Sequence, residues 1–571
     1  MKKQIILITL ALIAVLVSVS AVSAANIYVN TTGNDTSGTG TADNPFLTIQ
    51  KGYDTSANGD TVIIANGTYS GTGNNQIHIT NNINITGQSQ TGTIIDGTGN
   101  LIFIIGGTVS IQNLTIVKAN DPIVNNGQLT VKDCTFKNNT ANGGAIHNEN
   151  QLTVTDSTFI NNTALQFGGA IDNCCGSTII TGCTFNDNRA PNGGAIYHNE
   201  SNGIKLIVNN SIFNNNTATH YGGAISCNGN VTVNNCTFTG NNATGAAGGP
   251  SGDGGGAIYN SQNGNCTVTN SKMISNNATI YGGGIFNNGG TLTVTNCNIL
   301  QNIAEVGGGI NNFYGSCNVT NSKINNNIAH ATAGGINNYH GTCILTHSNF
   351  IGNTAIWGGA IYNSVSVLNV TGCNFDSNTG THSNFLWNGG GSSAILRFNR
   401  IYNPGGNEVN NTDTEALDAM YNWWGSNSNP SSKLQGNVLY DPWLMLNIYS
   451  DPSTIYTGQT STITANVYKD SAGNNHSADA AQFFSGPQVT FTSTLGTIGS
   501  YTKTVDWVLG QAVRTYTGIL AGKDPITAND GDQTVSTTVT VLQAPTANAA
   551  SNTVGMQETG LPVSYLTLAI L

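Results

Sequence analysis

The sequence predicts an all-β protein: a right-handed parallel β-helix followed by a smaller β-sandwich. Three observations lead there. Charged residues make up 8% of the 571, against about 25% in ordinary soluble domains, while Gly contributes 71 and Asn 84. That mixture favours turns and short strands over helices. Two short signatures recur in fixed order through the middle of the chain. Between them apolar and polar residues alternate, as in strands with one buried face. The net charge of −11, with 17 Lys plus Arg, leaves no basic face for nucleic acid.

Taken in order, residues 1–25 read as a secretory signal peptide. Lys2 and Lys3 precede an apolar run, Ile5 to Val17, and Val22-Ser23-Ala24 supplies small residues for cleavage after Ala24 or Ala25. The pattern predicts a secreted protein. Residues 26–446 are Asn-, Gly- and Thr-rich and form the expected β-helix, with early rungs near Thr61–Val117 and repeats from about 129 to 380.

The first repeat signature is Gly-Gly-Ala/Gly-Ile, at Gly143–Ile146, Gly168–Ile171, Gly193–Ile196, Gly222–Ile225, Gly255–Ile258, Gly282–Ile285, Gly307–Ile310 and Gly358–Ile361, with a variant at Ala333–Ile336. The second is apolar-x-x-Asn, as in Phe136…Asn139, Phe159…Asn162 and Phe350…Asn353. The usual spacing is 25 or 26 residues. Each unit reads as three short strands: the Gly-Gly-Ala-Ile-x-Asn segment, a Leu-Thr-Val-Thr segment such as Leu152–Thr155, and a Cys/Ser-x-Phe segment such as Cys134–Phe136. One unit cannot bury its apolar side alone, so units stack into a solenoid with rungs about 4.8 Å apart. Crossovers between parallel strands set the right-handed expectation.

Stacking also assigns the polar and sulfur positions. The Asn after each Ile recurs as Asn148, Asn173, Asn260, Asn287, Asn312, Asn338 and Asn363, broken by His198 and Cys227. Stacked amides predict a structural hydrogen-bonded ladder, and Asn also suits left-handed corners. Cys134, Cys183, Cys236, Cys297 and Cys373 share one position with Ser157, Ser211, Ser271, Ser322 and Ser348. These are expected to be interior slots holding free thiols; Cys317 and Cys343, one rung apart, are near enough to bridge.

These paired motifs resemble the repeats of chlamydial polymorphic membrane proteins, which are surface adhesins, over about Val131–Asn378. The C-terminal membrane barrel of that family has no counterpart here. The whole layout resembles adhesin-like surface proteins of methanogenic archaea. Asp43–Gln50 and Gly59–Ile63 are similar to the start of their pectate-lyase-like β-helices, which implies a short capping helix over Pro45–Ala57. Tyr421-Asn422-Trp423-Trp424-Gly425 with Tyr440–Trp443 is similar to their closing segment, where bulky aromatics plug the open end.

Residues 447–543 hold longer alternating runs, Thr462–Val467, Val489–Thr492 and Thr534–Val541. They resemble the bacterial Ig-like domains of invasin-type adhesins, and about 100 residues suits such a sandwich. Residues 544–571 read as a linker and a partial apolar anchor, Leu561–Leu571, which makes envelope or membrane association through the C-terminal end an expectation. Eleven residues reach about half the hydrocarbon core as a helix.

For function, polysaccharide hydrolysis on such a fold needs paired carboxylates. Asp156 and Asp172 stand isolated in the sequence, and Asp530-Gly531-Asp532 reads as a plain acidic turn. No catalytic residue, metal ligand or cofactor is assigned. Binding residues are assigned to the aromatics before Gly-Gly, Phe167, Tyr221, Tyr281 and Trp357, and to those after Ile, Tyr197, Tyr259, Phe286 and Tyr362, the last four expected to point outward; the alternative is that these aromatics pack under corner loops. The expected function is a non-enzymatic cell-surface adhesin binding glycans or surface proteins of other cells. The alternatives are a polysaccharide lyase or hydrolase and a structural envelope component.

Overall fold

Stacking the repeats at a fixed register places like residues above like. The computed structural model describes residues 24–545 except 200–202, 246–252 and 404. All but the end of the expected signal peptide, and the apolar ending, lie outside these residues. The chain winds into a parallel β-solenoid of about 14 turns, and pairing runs rung to rung in register. Ile146 lies beside Ile171, Ile171 beside Ile196, and the column continues through Ile225, Ile258, Ile285, Ile310, Ile336 and Ile361 to Leu386.

The three expected strands form parallel sheets of 15, 17 and 14 strands. A fourth sheet of 10 strands was not anticipated. It is built from short segments such as Thr140–Ala141, Thr163–Ala164 and Thr354–Ala355. Each typically buries one alanine, as Ala141, Ala164, Ala218 and Ala243 do. A two-residue strand leaves too short an alternation to stand out in sequence.

Inside, rings stack up the column. Phe136, Phe159, Phe185, Phe213 and Phe238 follow one another at centroid separations of 4.9, 5.0, 4.7 and 4.7 Å, with nearly parallel planes. Each buried ring contributes about 1.5–3 kcal/mol relative to exposure. Beside them runs an amide ladder on the second signature, a role the sequence reading did not give it. Asn162 shows its bonding in full. Its Nδ2 donates to Asn188 Oδ1 at 2.9 Å and to Phe136 O at 3.0 Å, and its Oδ1 accepts from Asn139 N and Nδ2 at 3.2 and 2.9 Å. The pattern runs on through Asn216, Asn241, Asn276, Asn302, Asn327, Asn353 and Asn378. It ends on Asn403, whose N and Nδ2 both donate to the buried Glu408 carboxyl.

The ladder on the first signature is a separate column. Asn125 Nδ2 donates to Asn148 Oδ1 at 2.6 Å, Asn148 to Asn173 at 2.7 Å, and Asn173 meets His198 at 2.8 Å. Beyond Cys227 it resumes from Asn260 through Asn287, Asn312, Asn338 and Asn363 to Asn388 and Asn411. These Asn lie in extended strands, so the left-handed corners fall elsewhere. They fall just before each ladder Asn of the second signature, as at Asn138 and Asn161 with φ of 55° and 51°, and just before each Cys/Ser slot, as at Asp133 and Asn235 with φ of 50° and 52°. Asn, Asp and Gly are the residues that accept this backbone most readily. The eleven cysteines carry no disulfide. In the interior slot Cys134 N donates to Ser157 Oγ at 3.1 Å, and Ser157 Oγ to Thr155 O at 2.8 Å. Burial raises the Cys134 thiol to about 12.

The ends are closed. A helix, Ile49–Thr55, within the expected segment, lays Ile49 and Gly52 on the first rungs, and Thr48 Oγ1 accepts from Lys51 N. A Cβ on Gly52 would come within 2.7 Å of Val29. Among the described residues no helix is long and apolar enough to cross a membrane. At the other end Trp424 is fully buried against the solenoid core, and Trp423 is fully buried in the core of the next unit. That unit has an antiparallel four-stranded sheet, Leu444–Asp451, Thr460–Asp470, Gln511–Gly518 and Gly496–Thr497, and a five-stranded one. Phe491, Trp507, Tyr516, Ile526 and Val539 fill the space around them. The two units are joined by a buried ion pair. Arg400 NH2 meets Asp530 Oδ1 at 2.6 Å, and Asp530 Oδ2 accepts from Trp423 Nε1 and Trp507 Nε1 at 2.9 and 3.1 Å. Asp530 is thus committed to the junction.

Two outcomes test this account. Asn302→Ala should lower stability by roughly 2–4 kcal/mol, because Asn276 Nδ2 and its backbone N–H lose their acceptor in a buried column. Thr153→Ser, on the outer side of a strand, should shift it by less than about 0.5 kcal/mol in the same denaturation measurement. Burial raises the Glu408 carboxyl from 4.5 to about 7. A raised folded-state value means full stability below about pH 4.5 and loss as pH climbs through 7. Comparing wild type with Glu408→Gln at pH 4.5 and pH 8 should therefore show the wild type losing up to roughly 3 kcal/mol relative to the variant.

Candidate functional site

The assigned aromatics lie on the outer surface of the 15-stranded sheet and on the segments that lead into it. The residue after each Ile points away from the Asn ladder. In register the column reads Val124, His147, Asp172, Tyr197, Ser226, Tyr259, Phe286, Asn311, Asn337, Tyr362 and Trp387. The residue before each Gly-Gly forms a second column beside it, in which Phe167 bridges to Asn192, Tyr221 to Gly254, Gly254 to Tyr281, and Thr332 to Trp357.

The two columns interleave. Phe167 stacks on Tyr197 with centroids 4.4 Å apart, and Tyr221 on Tyr259 at 4.4 Å. Tyr281 lies 5.2 Å from Phe286, and Tyr362 stacks on Trp387 at 4.4 Å. Trp357 stacks on His382 at 3.5 Å.

The expectation that the four aromatics after Ile point outward fails at two of them. Phe286 is 1% exposed and Tyr259 8%. Phe286 fills the place opened at Gly254, where other rungs carry an aromatic; a Cβ there would sit 2.9 Å from the Phe286 ring. Tyr259 is covered by Tyr221, and its hydroxyl accepts from Asn288 Nδ2 at 3.1 Å. Burial raises that hydroxyl to about 12. Phe167, Tyr197, Tyr221, Tyr281 and Tyr362 are half-buried, and Trp357 is 36% exposed.

The structure adds rings that the sequence reading passed over. Phe313 and Tyr339 stack at 5.5 Å, and Tyr314, 55% exposed, lies flat on His340 at 4.5 Å. Both pairs sit three and four residues after Ile310 and Ile336, so a repeat alignment would have exposed them. Phe313, Tyr314 and Tyr339 line a groove of about 390 Å³ together with Tyr281 and Tyr362.

Asp172, taken as isolated, is not. Its neighbour one rung back is His147, whose Nδ1 lies 2.8 Å from Asp172 Oδ2. Asp172 is 3% exposed, and its hydrogen bond holds the His147 imidazole above its ordinary pKa despite partial burial. The pair borders a cleft of about 420 Å³ that Phe167, Cys174 and Tyr197 also line. Asp156 occupies a left-handed corner, with φ of 49°.

Five segments of the chain, 133–149, 156–173, 182–199, 210–228 and 347–364, match the model of the Chlamydia polymorphic membrane protein repeat. The chain therefore carries repeats of this type. No curated protein matches it. Among solved structures it is similar to domains 4 and 5 of the S-layer protein SbsC, at 24% identity and a TM-score of 0.13, covering 19% of this chain and 57% of that one. A longer SbsC structure, domains 1–6, is spanned over 15% of its length at 25% identity and a TM-score of 0.14. The alginate lyase AlyF-OU02 is 12% identical with a TM-score of 0.38, over 70% of this chain and 86% of that one.

Buried and presented rings should separate on mutation. Phe286→Ala should destabilise by about 3 kcal/mol through the cavity it leaves under Tyr281 and Tyr259. Trp357→Ala should cost less than about 1 kcal/mol, since its ring is already part-solvated. Thermal unfolding of the two variants checks the contrast.

Proposed function

We propose that this chain is an exported cell-surface protein of the adhesin type. Its solenoid presents the aromatic face to glycans or to glycosylated surfaces of other cells, without catalysing a reaction. The observation that carries the reading is the run of paired rings from Phe167 to Trp387 along one sheet, set among Asn and Thr side chains. Ring faces supply flat apolar area, and the neighbouring amides supply donors and acceptors, the combination that suits sugar contact. The polymorphic membrane protein repeat supports a place at the cell surface, as does the signal-peptide pattern of residues 1–25.

The two-sheet unit from Leu444 to Leu542 fits an Ig-like domain in strand number and size. In this reading it spaces the solenoid from the envelope.

A panel of cell-wall and host polysaccharides, incubated with the purified protein, tests the proposal. Saturable binding without depolymerisation is the expected result, and Trp357→Ala or Tyr314→Ala should each weaken it about 5–30-fold. Depolymerisation abolished by a carboxylate substitution would make the chain a polysaccharide-acting enzyme instead. Neither binding nor turnover would leave the structural envelope role.

A further inference from the structure

One place on the outer face departs from the repeat in four positions at once. In the outward column, where most rungs carry an aromatic or amide, two consecutive rungs carry His147 and Asp172. Two residues further along the same rungs stand Glu149 and Cys174, kept level by the hydrogen bond from Cys174 N to Asn148 O at 3.2 Å. Glu149 and Cys174 directly follow the two strands, and with rungs about 4.8 Å apart the four side chains cluster together. Asn148 and Asn173, between them, turn inward to the ladder.

The chemistry within the cluster is ordered. Asp172 Oδ2 lies 2.8 Å from His147 Nδ1, so that nitrogen carries the proton and donates. In the neutral imidazole that a metal would require, Nε2 is then the free nitrogen, and it lies 3.4 Å from Glu149 Oε1. Ligating atoms of His147, Glu149 and Cys174 all fall within 4.8 Å of one another. Tetrahedral bonds of about 2.0–2.3 Å set ligand atoms roughly 3.3–3.8 Å apart, a closure that the exposed Glu149 reaches by a rotamer change. The second oxygen of Asp172, Oδ1, is buried with no hydrogen-bond partner among the described residues, on a side chain that lines the cleft. Gly143 makes room for this pair: a Cβ there would lie 2.6 Å from Asp172 Oδ2 and 2.9 Å from His147 Nδ1.

We propose that His147 Nε2, Glu149 and Cys174 form a binding site for a zinc-class divalent cation, with Asp172 as the positioning residue that fixes the imidazole. The donor set of imidazole, thiolate and carboxylate selects a borderline-soft ion over calcium or magnesium. A carboxylate behind a ligating imidazole is the usual support for such an ion. Three protein ligands leave a fourth position open, and two of them, His147 and Cys174, also line the cleft with Phe167 and Tyr197. Cys175 lies next to Cys174 with sulfurs 2.7 Å apart, so the site requires both thiols reduced.

The test uses the full chain, reduced, with its accessible thiols counted by a thiol reagent, and titrates Zn²⁺ against a chromophoric chelator and Co²⁺ by visible absorption. The expected result is one equivalent of metal, a tetrahedral cobalt spectrum and a thiolate-to-cobalt band that Cys174→Ser removes. Asp172→Asn should weaken binding about 10–100-fold, and Cys175→Ser should leave the cobalt spectrum in place. Circular dichroism of each variant confirms that the solenoid is folded. The proposal is overturned if folded, reduced protein takes up no equivalent. It is equally overturned by an octahedral cobalt spectrum, or by Cys174→Ser and His147→Gln binding as tightly as wild type.

Discussion

Every rung of the solenoid must place each side chain directly above its counterpart, about 4.8 Å away. That single constraint decides which residues the interior tolerates. Apolar side chains meet it by stacking. A polar side chain meets it only if it can donate upward and accept from below, in the same geometry, on each turn. Asn does both with one amide, and Asn162 uses each of its lone pairs and both of its Nδ2 protons in this way. A buried amide without such partners would cost more than the fold gains from a typical contact. One amide column can therefore run through the repeat region and a second can run on either side of His198 and Cys227, and the chain can be rich in Asn while its interior amides are paired. Where the pattern stops, the acceptor must come from elsewhere, and Glu408 supplies it for Asn403.

Much of this was legible because the period is short and strict. The recurrence of Gly-Gly-Ala-Ile and Phe-x-x-Asn identifies rungs, and alternation identifies the inward side of two strands. The fourth sheet was not legible, since one alanine per two-residue strand leaves no alternation to detect. The second amide ladder was hidden for another reason. Its Asn follows a left-handed corner at positions such as Asn138, and in sequence a corner Asn and a ladder Asn look alike. Only the hydrogen bonds tell them apart.

The outer face shows the limit of reading residues along the chain. Asp172 appears alone because His147 is 25 positions away, yet the fold makes them neighbours. Phe286 appears exposed because it occupies an outward position, yet the missing side chain at Gly254 draws it under its neighbours. Both errors come from treating a surface position as independent of the rung above. Once the column is written out, the aromatic pairs, the Tyr314–His340 stack and the His147–Asp172 pair all appear as vertical neighbours.

The same separation of duties explains how one scaffold hosts such different surfaces. Inward columns are held by stacking, so their residue types scarcely vary from rung to rung. Outward columns bear no such load, and there the chain changes from Asp and Cys to Tyr, Ser, Phe and Trp within a few turns. The junction with the second unit follows the inward rule rather than the outward one. Arg400 belongs to the last full rungs, and its charge is buried only because Asp530 and Asp376 meet it. Trp423 and Trp507 donate to the same Asp530 carboxylate, so the core of the second unit closes on the end of the solenoid. The orientation of the aromatic face is thereby tied to the unit that follows through a packed junction rather than a free linker.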